Sequence, residues 1–264
     1  MIHNVFLATD GSRYAEGAAR YSVWSAAAFD TKLIGCYVMD RKVLDGPFIT
    51  RLSMMLGFTP AADFRAAAEP VLRSLGESAL GFVGELCGEQ GVELVKLILE
   101  GPVASTLVDA AKNSELMVIG RQGDHAEYEY DVLGNVADAV LRRSPRALML
   151  APADFEEPVG AVLLYDEPTA GGEALRYALA LPEELPLTVL HTPELADKAA
   201  GELKSYGRSA ELGLLEEPAA VTAARRDSAE LVILGADTSH GHLVVDPRVQ
   251  RAAHQSRSPL LISP

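Results

Sequence analysis

The sequence predicts an α/β protein built of two tandem open parallel five-stranded sheets with helices on both faces, the second copy shortened. Three observations carry that expectation. The chain repeats itself in order and residue type, strand-length apolar runs alternate with helix-length segments, and each half closes on a short apolar strand ending in proline.

The repeat is visible in two places. Asp10, Arg20 and Tyr21 are matched by Asp166, Arg176 and Tyr177 at one constant offset of 156. Ser114-Glu115-Leu116-Met117-Val118-Ile119-Gly120 is matched by Ala229-Glu230-Leu231-Val232-Ile233-Leu234-Gly235 at an offset of 115. The second half is therefore shorter by about 40 residues, lost between its second and third strands. The halves are placed at residues 1–153 and 158–264, with the polar, proline-containing stretch 153–158 as linker.

In order, the first half reads strand 4–9, helix 13–29, strand 32–38, helix 61–90, strand 92–99, helix 102–113, strand 116–120, helix 134–143 and strand 147–151. Leu116 to Ile119 are continuously apolar, the pattern of a parallel strand covered on both faces. In the second half a short helix, about 194–206, stands where the long 61–90 helix stood. Right-handed crossovers between such strands give an open sheet whose ligands bind at the strand carboxyl ends.

Composition narrows the function. Of 264 residues, 48% are apolar and 23% charged, enough to bury a core. The net charge of −14 argues against nucleic acid or an anionic membrane as partner. Cys36 and Cys87 form no C-x-x-C pair, and no stretch approaches the roughly 20 apolar residues of a membrane helix. The first residues lack the basic and apolar regions of a signal peptide, so a cytoplasmic location is expected.

Three first-half segments fall at strand carboxyl ends. Asp10, in Thr9-Asp10-Gly11-Ser12, suits a ribose hydroxyl or a metal, and equally a helix N-cap. Val38, in Tyr37-Val38-Met39, ends a strand whose backbone groups suit an adenine edge, a reading that any buried strand end shares. Gly120-Arg121-Gln122-Gly123 is followed after ten residues by Gly134-Asn135, opening a helix. Glycines so placed let backbone N–H groups reach phosphate oxygens at a helix N-terminus, although a plain turn reads the same way.

Together with Glu100-Gly101-Pro102, these segments resemble the universal stress protein family, over nearly all of the first half and in reduced form over the second. The resemblance implies an adenine-nucleotide-hydrolase-like, Rossmann-like sheet. It also implies ATP, with Mg²⁺, bound through Asp10 and Val38 at the adenosine end and Gly120, Arg121, Gly123, Gly134 and Asn135 around the phosphates. The family's ATP-binding members space G-x-x-G and the following Gly-Ser/Thr by nine residues. Here the spacing is ten, and Asn135 replaces the hydroxyl residue. Asp124, Glu127, Glu129 and Asp131 place four carboxylates in the loop against Arg121 and His125, an arrangement that fits either a Mg²⁺ ion or a solvated acidic surface. In the second half G-x-x-G is gone and Asp246 aligns with Gly134, so no nucleotide is expected there.

His240-Gly241-His242, near Asp237 and Asp246, reads as polar surface or a zinc site. No Ser-His-Asp order and no Walker lysine pattern is present. The expected function is that of a non-catalytic stress-response or regulatory protein with ATP bound in the first half alone. Two alternatives stand: a weak ATP-hydrolysing enzyme built on Arg121 and Asp10, or a sensor of small molecules or partner proteins using the apolar loop 48–58. The duplication suggests an intramolecular pseudo-dimer, with a homodimer as a further partner state.

Overall fold

The computed structural model describes residues 2–40, 55, 61–123, 133–215 and 230–264. The acidic loop 124–132 and, apart from Met55, the apolar loop 48–58 lie outside the described residues.

The first half runs β1 (Asn4–Ala8), α1 (Ala15–Ala28), β2 (Lys32–Asp40), α2 (Ala61–Gln90), β3 (Leu94–Gly101), α3 (Val103–Ala110), β4 (Leu116–Gly120), α4 (Asn135–Leu141) and β5 (Ala147–Ala151). The second half runs β6 (Gly160–Tyr165), α5 (Pro168–Ala180), β7 (Leu187–His191), α6 (Ala196–Tyr206), β8 (Glu211–Leu214), β9 (Glu230–Gly235), the short strands β10 (Thr238–Ser239) and β11 (His242–Leu243), α7 (Pro247–Gln255) and β12 (Leu260–Ser263). The helix expected at 102–113 divides into α3 and a 3-10 turn, Ala111–Asn113.

The five strands of each half are present, but they do not form two separate sheets. They merge into one sheet of ten, in the order β3-β2-β1-β4-β5-β12-β9-β6-β7-β8. Pairing is parallel within each half. At the centre β5 and β12 run antiparallel, with Leu150 opposite Leu260 and Leu148 opposite Ile262. Both are terminal strands of their half and fully buried, so each covers the apolar edge the other would expose.

One core layer lies on each face of the sheet, and both run through both halves. Leu7, Tyr21, Met149, Leu163, Tyr165 and Leu261 belong to one, and Phe6, Met117, Leu148, Leu164, Leu234 and Ile262 to the other. The seam carries polar ties as well. Leu243 N–H donates to the Ser144 carbonyl at 3.0 Å, and Tyr177 hydroxyl reaches the Glu115 carbonyl at 3.4 Å. Tyr21, the repeat partner of Tyr177, donates to the Glu156 carbonyl at 3.1 Å and accepts from Glu156 N–H at 3.2 Å, pinning the linker.

Candidate functional site

The first half reverses strand order between β1 and β4, the position where open α/β sheets open a crevice. A cleft of about 420 Å³ lies there, and all seven sequence-predicted residues line it: Asp10, Val38, Gly120, Arg121, Gly123, Gly134 and Asn135. Leu107, Ile119 and Leu133 give the same cleft an apolar side.

Local chemistry shapes the loops. After β1, Ser12 N–H donates to Asp10 Oδ1 at 3.0 Å, and Gly11, at φ +74°, turns the chain. Asp10 is thus a turn former that stays exposed, not the cap of α1, whose N-cap position is Tyr14. Its Oδ2 lies 2.9 Å from where a Cβ on Gly123 would sit, so a side chain there would have to displace the carboxylate. Gly134 N–H donates to the Arg121 carbonyl at 2.7 Å, closing the loop onto the start of α4. Gly134 offers no side-chain cap, and the first-turn residues Asn135, Val136 and Ala137 line the cleft. Donors of a helix first turn lack partners within the helix and suit an anion.

Arg121, expected from the sequence near the phosphates, lines the cleft and also has a partner outside it. One guanidinium nitrogen donates to the His254 carbonyl at 2.6 Å, across the seam at the end of α7. A cation at a helix carboxyl end meets the negative end of its dipole, which explains the choice. Cys36 lies buried on β2, and burial pushes its thiol up to about 12, so it fills space and does not act as a nucleophile.

The equivalent place in the second half is filled from within. Asp166, the partner of Asp10, is bonded by Arg248, whose other nitrogen donates to the Gly235 carbonyl at 2.7 Å. Asp246 stands where Gly134 stands and caps α7, Oδ1 accepting from Val249 N–H at 2.8 Å, with Oδ2 3.6 Å from Arg248 Nε. This half supplies its own anion and its own cation. Burial raises the Asp166 carboxyl above its ordinary range, and the Arg248 charge offsets only part of that.

The hairpin of β10 and β11 was not foreseen. It replaces G-x-x-G, with His240 and Gly241 at φ 52° and 78° in its tight turn. His240 and His242 are exposed on it, and no group of three or more metal-binding side chains occurs among the described residues.

Doubly wound strand order in the first half, a glycine loop at the strand ends and a second copy of the same strand order define a tandem, Rossmann-like α/β protein. Comparison with known proteins agrees. The model of the universal stress protein family matches residues 1–152. Universal stress protein Slr1230 of Synechocystis sp. is 21% identical over 285 aligned positions, covering 98% of this chain and 98% of that protein. Universal stress protein MJ0531 of Methanocaldococcus jannaschii is 28% identical over 142 positions, 53% of this chain and 76% of that protein. Among solved structures, a universal stress protein of Archaeoglobus fulgidus DSM 4304 shares the fold at TM-score 0.71 and 15% identity, over 98% of this chain and 97% of that one. The chain belongs to the universal stress protein family, in tandem form. Among the described residues, no helix is long and apolar enough to cross a membrane.

Proposed function

We infer that this stress-family chain binds one adenine nucleotide, in the first-half cleft, and acts as a binding protein without turnover. The observation that carries the reading is the contrast between the halves. The second copy fills its cleft with Arg248 and caps α7 with Asp246, whereas the first leaves Gly134 without a cap beside a lined cleft. In this reading the base lies against Val38, Leu107 and Ile119, Asp10 Oδ2 accepts from a ribose hydroxyl, and the backbone N–H groups of Gly123 and the first turn of α4 receive phosphate oxygens. Mg²⁺ accompanies the triphosphate and neutralises part of its charge.

The described residues fit the nucleoside and the backbone cradle. A Cβ on Gly120 would come within 3.0 Å of the Gln122 carbonyl oxygen and 3.2 Å of that of Tyr14. They bring no free cation to the phosphates, since Arg121 is engaged by His254, so modest affinity is expected. The hydrolytic reading would need the remaining guanidinium donors of Arg121 on the phosphates.

Calorimetric titration of ATP with Mg²⁺ tests the proposal. One saturable site per chain is expected, at least about tenfold weaker in Gly123→Val, whose side chain enters the Asp10 contact. Absence of heat at about millimolar ATP refutes nucleotide binding, and two sites per chain refute the plugged second half.

A further inference from the structure

A second concavity, of about 650 Å³, lies between the halves and shares no lining residue with the nucleotide cleft. That volume falls within the roughly 300–1,000 Å³ of small-molecule pockets. Its walls come from the carboxyl-terminal parts of α1 and α2, from the linker and from the 182–186 turn before β7.

Apolar atoms form more than half of its lining surface. Trp24, the only tryptophan of the chain, lies there with Leu86, Phe155 and Leu185, and Val159 is 68% exposed at its edge. Both loop walls are held in place. Tyr21 pins the linker through Glu156 and packs edge-on against Phe155 at 4.8 Å between ring centroids. Arg208 donates to the carbonyls of Leu181, Pro182 and Leu185, the last two at 2.8 and 3.0 Å, and so fixes the turn. A binding surface held in this way loses little entropy when occupied.

The rim has one dominant sign. Glu89, Glu157 and Glu184 are exposed around it, and Arg20 is the single cation among the described lining residues. The Arg20 guanidinium is itself 5.9 Å from the centroid of the Phe82 ring. Three carboxylates around a groove favour positive charge through Coulomb attraction and disfavour an anion of the same shape, and an indole among the lining residues adds its quadrupole to the same preference.

We propose that the groove between the halves binds an organic cation with a bulky apolar body. Because Trp24 is the only tryptophan, its fluorescence reports on this groove and on no other site. The probes are tetraphenylphosphonium and tetraphenylborate, alike in shape and opposite in charge. The phosphonium is expected to change Trp24 emission saturably, and the borate to bind at least about tenfold more weakly. The exposed-site variant Glu89→Gln/Glu157→Gln/Glu184→Gln is expected to lose most of that preference. Saturating ATP with Mg²⁺ is expected to leave the phosphonium titration unchanged, which separates this site from the nucleotide cleft. Equal binding of the two ions, or a preference unaltered in the triple variant, overturns the proposal. So does a concentration-dependent dimer that shields Trp24 from both probes, since the groove would then belong to a second copy of the chain.

Discussion

Arg248 and Asp166 are largely buried, with side-chain exposures of 16% and 11%, and removing one partner of such a pair strands the charge of the other. Arg248→Ala is therefore expected to cost about 2–4 kcal/mol near neutral pH, read from denaturant midpoints. The pH dependence has a definite sign. Asp166 already has a raised carboxyl pKa in the folded chain, and losing Arg248 raises it further, so its ionised form is what burdens the variant. The destabilisation should shrink as pH falls through the raised pKa and Asp166 takes up its proton; a loss independent of pH would refute the stranded-charge account. Neither this pair nor the Arg121–His254 bond was legible in the sequence, because the partners lie 82 and 133 positions apart. A signal did exist for the plug: Asp166 repeats Asp10, and Arg248 follows two places after the residue aligned with Gly134.

At the scale of elements, the glycine ending the fourth strand of each half has a packing reason that needs no ligand. A Cβ on Gly235 would sit 2.1 Å from the Ala170 carbonyl oxygen in the first turn of α5; at Gly120 the corresponding approach, to Tyr14, is 3.2 Å. Strand and helix touch backbone to backbone, and no rotamer change relieves that contact. Gly235→Ala should destabilise by about 1–3 kcal/mol or more, and by more than Gly120→Ala, in paired unfolding measurements. Equal costs would refute the contact as the cause. The sequence reading weighed Gly120 between phosphate contact and a plain turn, and did not use the fact that its counterpart survives in a half expected to bind no nucleotide. Strand and helix positions were legible throughout the first half because continuous apolar strands and glycine-marked ends are local signals. The β10–β11 hairpin was not, since it puts His240 at a positive φ that side chains other than glycine seldom adopt.

Across the whole molecule, the repeat announced two copies but not how they join. Pairing of β5 with β12 depends on the approach of two distant edges, and no local pattern encodes it. With both core layers continuous through the seam, the halves are expected to unfold together. Trp24 fluorescence, which reports α1 and the groove it lines, and far-ultraviolet circular dichroism, which reports the helices and strands of both halves, should give coincident denaturation curves. Two separated transitions would show that the seam is too weak to couple them. The tether at residues 152–159 also has a consequence for the life of the protein at low abundance. It holds the two central edges at an effective concentration on the order of millimolar, so their meeting does not depend on how many molecules a cell contains. A half-length chain assembled from separate copies would come apart on dilution. Here the ratio of open cleft to plugged cleft is set by the gene, at one to one.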